Sequence, residues 1–412
     1  MIAVHASNTN TFAPYYSREN KQIHFNKLDP GASITVVGAG VFGSWAAYSL
    51  LRKGFKVTIV DAWGPAHSRS SSGDETRVIR STYGANEIYF DLNVKALALW
   101  KNLQERTGRE IFHNTGVLWF CYQAECAVVD DSLQFASKHK MEYQYLSQSD
   151  LKKSFPLVRV DDLHHAWFDP FGGYLRARES VQLVNQLFIK EGGHYIQAHA
   201  LPGKASGNRM SDLQLSNGNK IRSDAYVFAC GSWLGKLFPQ ELNDVITCTK
   251  QEVYYFGLPA EKASSFEKLP VWVDVDGKDF YYGIPGNSYR GFKIGVDIRG
   301  SEFDPTSGDR LYSPETLAKA RQFIGHRFPD LQNAPLTENR VCPYENSPDG
   351  NFIFDLLPGT SNAFILGGGS GHGFKHGPAL GGLVADALAD GDNVPGLFLL
   401  DSSRKSGNLT HL

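Results

Sequence analysis

The stretch "SITVVGAGVFGSWAAYSLLRKGFKVTIVDAW", Ser33 to Trp63, constrains the fold more than any other part of the chain. Ile34 to Val37 is a short apolar run of the kind that forms a buried parallel strand. Gly38-Ala39-Gly40-Val41-Phe42-Gly43 follows it. Residues 44–53 have one apolar face, which predicts a helix, and Gly54 is placed to end it. Lys56 to Val60 reads as a second strand that closes on Asp61. In such a unit Gly38 allows the tight turn and Gly40 lets a pyrophosphate approach the backbone. Gly43 lets helix and strand pack closely, and the helix N-terminus faces the phosphates. Asp61, about 20 residues beyond the glycines, suits the hydroxyls of an adenosine ribose and would repel a 2′-phosphate, which disfavours NADP.

The rest of the chain bounds the answer. It has 412 residues, with 42% hydrophobic and 20% charged, and a net charge of −2. These values fit a globular protein of two to three domains' worth of core and argue against a nucleic-acid partner. No apolar run reaches the roughly 18 residues of a membrane span. The first 32 residues are polar and lack the apolar core of a secretory signal, so they read as an arm. Five scattered cysteines (Cys121, Cys126, Cys230, Cys248 and Cys342) form no CxxC and suggest neither a disulfide framework nor a metal site. The terminal "THL" is a poor match to a peroxisomal address, and a cytoplasmic location is expected.

Glu87 to Gly108 predicts a long amphipathic helix with Ile88, Phe90, Leu92, Leu97 and Trp100 on its apolar face. Val117 to Tyr122, Glu142 to Leu146 and Ala166 to Phe168 read as strands, and residues 178–192 as a helix. "DAYVFACGSW", Asp224 to Trp233, reads as a buried strand that runs into a turn. From Lys250 to Asp297 the apolar period is two, which predicts an antiparallel sheet. A helix over 315–326 follows, and "FILGGGSGHGFKHGPALGGLVADAL" gives strand, glycine turn and final helix. Parallel signals at both ends enclose antiparallel ones. A discontinuous cofactor domain (33–113, 178–248 and 335–391) is therefore expected, with a substrate domain (114–177 and 249–334) inserted twice. Residues 1–32 and 392–412 flank them. No second GxGxxG is present, which argues against a two-nucleotide reductase.

Several stretches together carry a resemblance: the glycine turn, "SSGDETRVIR", "ACGSW", "YYGIP…FKIG", "CPYENSPDGNFIFD" and "GSGHGFK". From Ser33 to about Gly391 the chain resembles the flavin-dependent amine oxidases of the monomeric sarcosine oxidase type. These sit within the D-amino-acid-oxidase-like superfamily, beside N-methyl-amino-acid and pipecolate oxidases. The resemblance implies an α/β fold: a discontinuous Rossmann-type FAD-binding domain plus an inserted α+β substrate domain with a mainly antiparallel sheet. It also implies FAD, oxidation of the amine of an N-alkylated or cyclic α-amino acid to an imine, and reduction of oxygen to hydrogen peroxide. Open alternatives are a primary L-amino acid, a larger amine-containing intermediate, or a dehydrogenase with another acceptor. A small amine and oxygen are the expected partners of a monomer or small homo-oligomer.

The resemblance also assigns residues. Arg77 is expected against the flavin ring, and Arg80 and Lys375 at the substrate carboxylate, where a planar guanidinium gives bidentate recognition. Cys342 matches the cysteine thioether-linked to the flavin, which calls for an accessible thiol of lowered pKa. Lys293 matches the lysine that assists oxygen reduction, although a strand lysine also suits solvent, and both readings stand. Tyr282 and Tyr344 match pocket tyrosines, whereas Tyr281 reads as core or sheet surface. Gly38, Ala39, Gly40, Val41, Phe42, Gly43, Asp61 and Ala62 are expected along FAD. So are Ser70, Ser71, Thr76, Leu201, Gly231 and Trp233, with Gly371, His372, Gly373, Phe374 and Lys375. His372 is read as a structural member of its loop rather than a base, and no metal is expected. The chain departs from the family at serines that replace a His-His pair, at one extra residue near Glu75, and at Asp297. The family pocket has a histidine at that last position. Asp297 is expected either to read the substrate's side chain or to pair with Arg290 or Arg299.

Overall fold

The computed structural model describes residues 25–400 and Arg404, apart from 243, 276–279 and 299. The "THL" tail, Arg299 and most of the N-terminal arm lie outside the described residues. A six-stranded sheet organises one half of the molecule. Its order is Ile353–Leu356, Ala363–Gly367, Ala225–Phe228, Ser33–Val37, Lys56–Asp61 and His194–Gln197. Every pairing is parallel except the edge pair Ile353–Leu356 with Ala363–Gly367. The central strands are apolar at successive positions because helices cover both faces.

The glycine-turn helix spans Val41–Arg52, three residues earlier at its start than the apolar periodicity predicts. Gly40 is extended and ends the turn, so Val41 and Phe42 already lie in the first helical turn. This helix and the final one, Gly377–Asp390, pack closely: a Cβ on Gly381 would meet the Trp45 backbone at 2.5 Å. Trp45 and Trp100 stand edge to face at 5.2 Å in the same core. The long helix runs Glu87–Thr107 and ends on Gly108 in the left-handed region, as expected of a glycine cap. Ile88 does not belong to its apolar face: it is exposed, and Tyr89, Phe90, Leu92, Asn93 and Leu97 form the buried stripe.

The second large sheet has eight strands, in the order Leu336–Asn346, Thr247–Phe256, Phe292–Val296, Tyr281–Ile284, Val271–Asp274, Val117–Cys121, His165–Asp169 and Gln144–Ser147. All pair antiparallel except Val271–Asp274 with Val117–Cys121, where the two inserted segments meet in parallel. The segment 335–391 therefore divides: Leu336–Asn346 lies along Thr247–Phe256, while Ile353–Leu356 and Ala363–Gly367 join the six-stranded sheet. Trp272, Phe292 and Phe328 fill the core of the eight-stranded sheet. Tyr281 stacks on Phe323 at 4.1 Å in that core. A three-stranded sheet of Thr76–Ile79, Gly173–Arg176 and Phe112–His113 lies between the two large ones, and it carries Arg77. No helix among the described residues is long and apolar enough to cross a membrane.

Candidate active site

The glycine turn opens one wall of a long cavity. Gly38 has φ +108°, and a Cβ there would lie 2.3 Å from the carbonyl oxygen of Ala229. A Cβ on Gly43 would lie 2.0 Å from the carbonyl oxygen of Gly38, so turn and helix pack as the motif requires. A Cβ on Gly40 would meet only Ser72 Oγ, at 3.5 Å. Gly40 thus leaves its backbone open to the cavity rather than to the protein. Asp61 accepts hydrogen bonds from the backbone N–H groups of Ala39 (2.8 Å), Trp63 (2.9 Å) and Gly64 (2.7 Å). It fixes the turn as well as lining the cavity.

Gly38, Gly40, Val41, Phe42, Asp61, Ala62, Ser70, Ser71, Arg77, Leu201, Gly231, Trp233, Gly371, Gly373 and Phe374 all line this cavity. Sequence reasoning missed Trp63, His67 and Glu345 on the same wall. Trp63 and Trp233 lie 5.0 Å apart, centroid to centroid, at the outer end. Ser71 Oγ donates to the carbonyl oxygen of Pro343 at 2.7 Å and ties the serine loop to the strand that carries Cys342. Ala39 and Gly43 lie behind the lining. Thr76 is also behind it, donating to Asn287 Oδ1 at 2.7 Å.

A second, smaller cavity adjoins the first. Arg77, Tyr344, Ser370, Gly371 and Phe374 face both. Arg80, Tyr282, Asp297, His372 and Lys375 complete its walls with Val78, Val273 and Phe280. Arg80 is buried, with its guanidinium 4.7 Å from the ring centre of Tyr83 and 5.1 Å from that of Trp119. Lys375 donates to the carbonyl oxygen of His372 at 2.9 Å. Burial, and then the charge of Arg80, hold its ammonium pKa well below the usual lysine range, while Asp297 acts in the opposite sense. Tyr282 and Tyr344 are both pushed up, chiefly by burial, and present neutral hydroxyls. His372 is held between Tyr83 Oη (3.1 Å) and the carbonyl oxygen of Gly350 (2.9 Å), which fits its structural reading. Arg290 pairs with Glu338 at 2.8 Å and Glu75 at 3.5 Å, so its ionic partners are not Asp297.

Two of the assigned residues lie behind the cavity walls. Cys342 is buried and lines neither cavity, and its thiol is pushed up, not down. Burial dominates there, and Arg77, whose Nη2 lies 3.8 Å from Sγ, opposes it only in part. Lys293 also lines neither cavity, and no part of its side chain reaches solvent. It faces inward, onto Asp74 at 2.5 Å and the carbonyl oxygen of Thr76 at 2.8 Å. Asp74, which sequence reasoning left without a role, also receives Arg77 Nη1 at 2.5 Å, Tyr255 Oη at 2.9 Å and Arg340 Nη1 at 3.4 Å. Burial alone would raise its carboxyl, but Lys293 and Arg77 hold it well below the usual range. No cluster of metal-ligating side chains occurs among the described residues.

Residues 33–387 match the family model described as FAD dependent oxidoreductase, DAO. The chain belongs to this family. It is 29% identical to the monomeric sarcosine oxidase of Bacillus sp. (strain B-0618), over 90% of this chain and 95% of that one. It is 30% identical to that of Arthrobacter sp. (strain TE1826), over 90% and 96%. The N-methyl-L-tryptophan oxidase of Salmonella dublin is 28% identical over 86% and 93%. Among solved structures, L-proline dehydrogenase from P. horikoshii superposes with a TM-score of 0.76 at 20% identity, covering 90% of this chain and 96% of that one. At that identity it bears on the fold alone. The chain is thus an FAD-dependent oxidoreductase with the discontinuous α/β architecture of its family. The long cavity suits the cofactor: an open backbone at Gly40, the start of the helix Val41–Arg52, and a guanidinium at the far end.

Proposed function

We propose that the chain oxidises the amine of an N-alkylated or cyclic α-amino acid to an imine, with oxygen reduced to hydrogen peroxide. The observation that carries this reading is the pair of buried cations, Arg80 and Lys375, on the walls of a cavity that adjoins the FAD cavity through Arg77 and Tyr344. Arg80 and Lys375, with Arg77 on the same walls, outnumber the single acid Asp297 there and suit a small carboxylate. The names of the relatives support an amino-acid amine as the second half of that substrate.

In this reading the bound FAD supplies the two-electron acceptor. The cavity that would hold it is lined by Val37, Val60 and Leu366 of the six-stranded sheet, and the substrate cavity by Val273, Tyr282 and Tyr344 of the eight-stranded one. Arg80 gives the carboxylate a fork of donors. Burial lowers the Lys375 ammonium, and an arriving carboxylate, like Asp297, favours its charged form. That anchoring turns the α-carbon and the amine toward the junction of the two cavities, and fixed orientation of this kind lowers the barrier. Tyr282 and Tyr344 offer neutral hydroxyls beside the amine. Arg77, which faces both cavities, supplies positive charge where oxygen reduction builds negative charge, and Lys293 stands behind it on their shared Asp74. The imine then hydrolyses in water.

The test is peroxide release over a panel of N-methyl, cyclic and primary α-amino acids, with and without an artificial electron acceptor. Turnover of N-methyl or cyclic acids with peroxide in air is expected. Turnover that requires the artificial acceptor would replace the oxidase by a dehydrogenase. Arg80→Ala should cost on the order of 2–5 kcal/mol of transition-state binding with flavin content unchanged. Equal reactivity of an amino acid and its amide would remove the carboxylate clamp.

A further inference from the structure

Glu345 is a buried acid that none of the roles above uses. It lies near the end of the strand Leu336–Asn346, one residue beyond Tyr344, and faces the long cavity. The side chain is more than nine-tenths buried. Oε1 accepts the backbone N–H of Gly369 at 3.1 Å. Oε2 is buried and has no hydrogen-bond partner among the described residues. A buried polar atom without a partner costs stability, and such atoms in native proteins usually mark a ligand or an ion. Glycines face this oxygen: a Cβ on Gly231 or on Gly367 would come within 3.5 Å of it.

The charge balance decides how Glu345 meets a ligand. Of the cations that line the cavity, Arg77 is engaged by Asp74 and Lys236 by Asp304 at 2.5 Å. Asp61 is occupied by three backbone donors. The titratable groups that act on or feel Glu345 are the thiols Cys230 and Cys248, both pushed up and so neutral. Burial raises the Glu345 carboxyl to about 7, against the pull of the Gly369 N–H. A carboxylate here would add an anion, with no cation of its own, to a cavity that would take the diphosphate of a dinucleotide. The neutral acid instead offers an O–H donor.

We propose that Glu345 is a cofactor-binding residue, whose Oε2 hydroxyl donates a hydrogen bond to FAD in the long cavity. This rests on the reading of that cavity as the FAD site. No bond is made or broken: the acid keeps its proton, and ionisation removes the donor and adds repulsion. FAD binding is therefore strongest where Glu345 is protonated and weakens as pH rises past neutrality.

The test titrates FAD into the flavin-free full chain carrying Cys342→Ser, which keeps binding reversible, and follows flavin fluorescence from pH 6 to 8.5. Affinity should fall about tenfold over this range, the worth of one buried hydrogen bond. Glu345→Gln keeps an N–H donor and cannot ionise, so its affinity should be flat with pH. Glu345→Ala should bind about tenfold more weakly than the parent at pH 6. The same pH slope in Glu345→Gln as in its parent would overturn the proposal, as would parental affinity in Glu345→Ala. If FAD binds the parent at no pH, the cofactor reading of the cavity falls and takes the proposal with it.

Discussion

Lys293 Nζ donates to Asp74 Oδ2 at 2.5 Å, and neither side chain exposes any surface to solvent. A dry ion pair of this kind is expensive to form unless further donors satisfy the carboxylate. Arg77, Arg340 and Tyr255 do so here. The carboxylate binds three strands of the eight-stranded sheet and the strand of Arg77 into one polar cluster. Of the three cations it holds, Arg77 faces the junction of the cavities. Removing the carboxylate leaves its cations uncompensated, whereas removing one cation leaves two others on it.

Lys293→Met should therefore slow reoxidation of reduced flavin far more than its reduction by substrate. Arg77 and Arg340 still counter Asp74 in this variant, so the chain should fold. Stopped-flow measurement of the two half-reactions separates the effects, and equal slowing of both would refute a role in oxygen reduction. Asp74→Asn leaves these cations without their buried carboxylate and should cost about 3–5 kcal/mol in stability.

A thioether from Cys342 to the flavin should form slowly and depend on Arg77. The thiol is pushed up by burial, and Arg77 is the cation that favours the thiolate. Acid-precipitated protein should keep its yellow colour in the pellet, and Cys342→Ser should release it. Arg77→Met should slow linkage in a timed reconstitution. Colour that washes wholly into the supernatant from the unsubstituted chain would exclude the bond.

Stability should carry the mark of two buried acids. Burial raises Glu345 to about 7 and Asp169 to about 6, both above the ordinary carboxylate range. Between about pH 4.5 and 7 the folded flavin-free chain holds a proton at Glu345 that the unfolded chain has released. This contribution is thus fully present at low pH and is lost as pH rises through that window. His376, held well below the usual histidine range by burial, gives the opposite slope around neutrality, so the comparison must be between variants. Relative to the parent, Glu345→Gln should gain up to about 3 kcal/mol as pH rises from 4.5 to 7. Urea unfolding at a series of pH values reads this directly. A constant difference between the two proteins would mean that Glu345 titrates normally.

The sheet, turn and helix around Gly38 to Asp61 were legible because their signals are local: period, glycines and an acid at fixed spacing. The pairing of Arg80 with Lys375 was legible only through resemblance, since 295 positions separate them in the chain. Asp74 stood inside a stretch that drew attention for its arginines. Its burial could not be read there, because Tyr255, Lys293 and Arg340 come from strands far along the chain. Glu345 was hidden for the same reason: an acid on a strand looks solvated until the fold covers it. A lowered thiol at Cys342 was expected because the resemblance to a flavin-linked cysteine calls for one, and the burial that pushes it up is not visible in the sequence.

Asp297 should set what the second cavity accepts besides an α-carboxylate. It lines that cavity with Arg80 and Lys375, and its charge raises the Lys375 ammonium against burial. Tyr282 and Tyr344 feel it as well, since its charge helps to push both hydroxyls up. A carboxylate beside the reacting amine would favour the protonated amine, which cannot lose a hydride. Asp297 therefore serves the chemistry best when it faces the rest of the substrate, where it accepts a hydrogen bond or pairs with a basic group. A charge-assisted hydrogen bond of this kind contributes about 1.5–3 kcal/mol, or roughly ten- to a hundredfold in kcat/KM. On a panel of side chains, Asp297→Asn should lose that factor for substrates with a cationic or donor group. Sarcosine-like substrates, too short to reach it, should change little. An unchanged ranking across the panel would remove Asp297 from substrate recognition and leave it a counter-charge to Lys375. The pH profile would then reveal that role, with the substrate KM of Asp297→Asn rising at lower pH than that of the parent as Lys375 loses its proton.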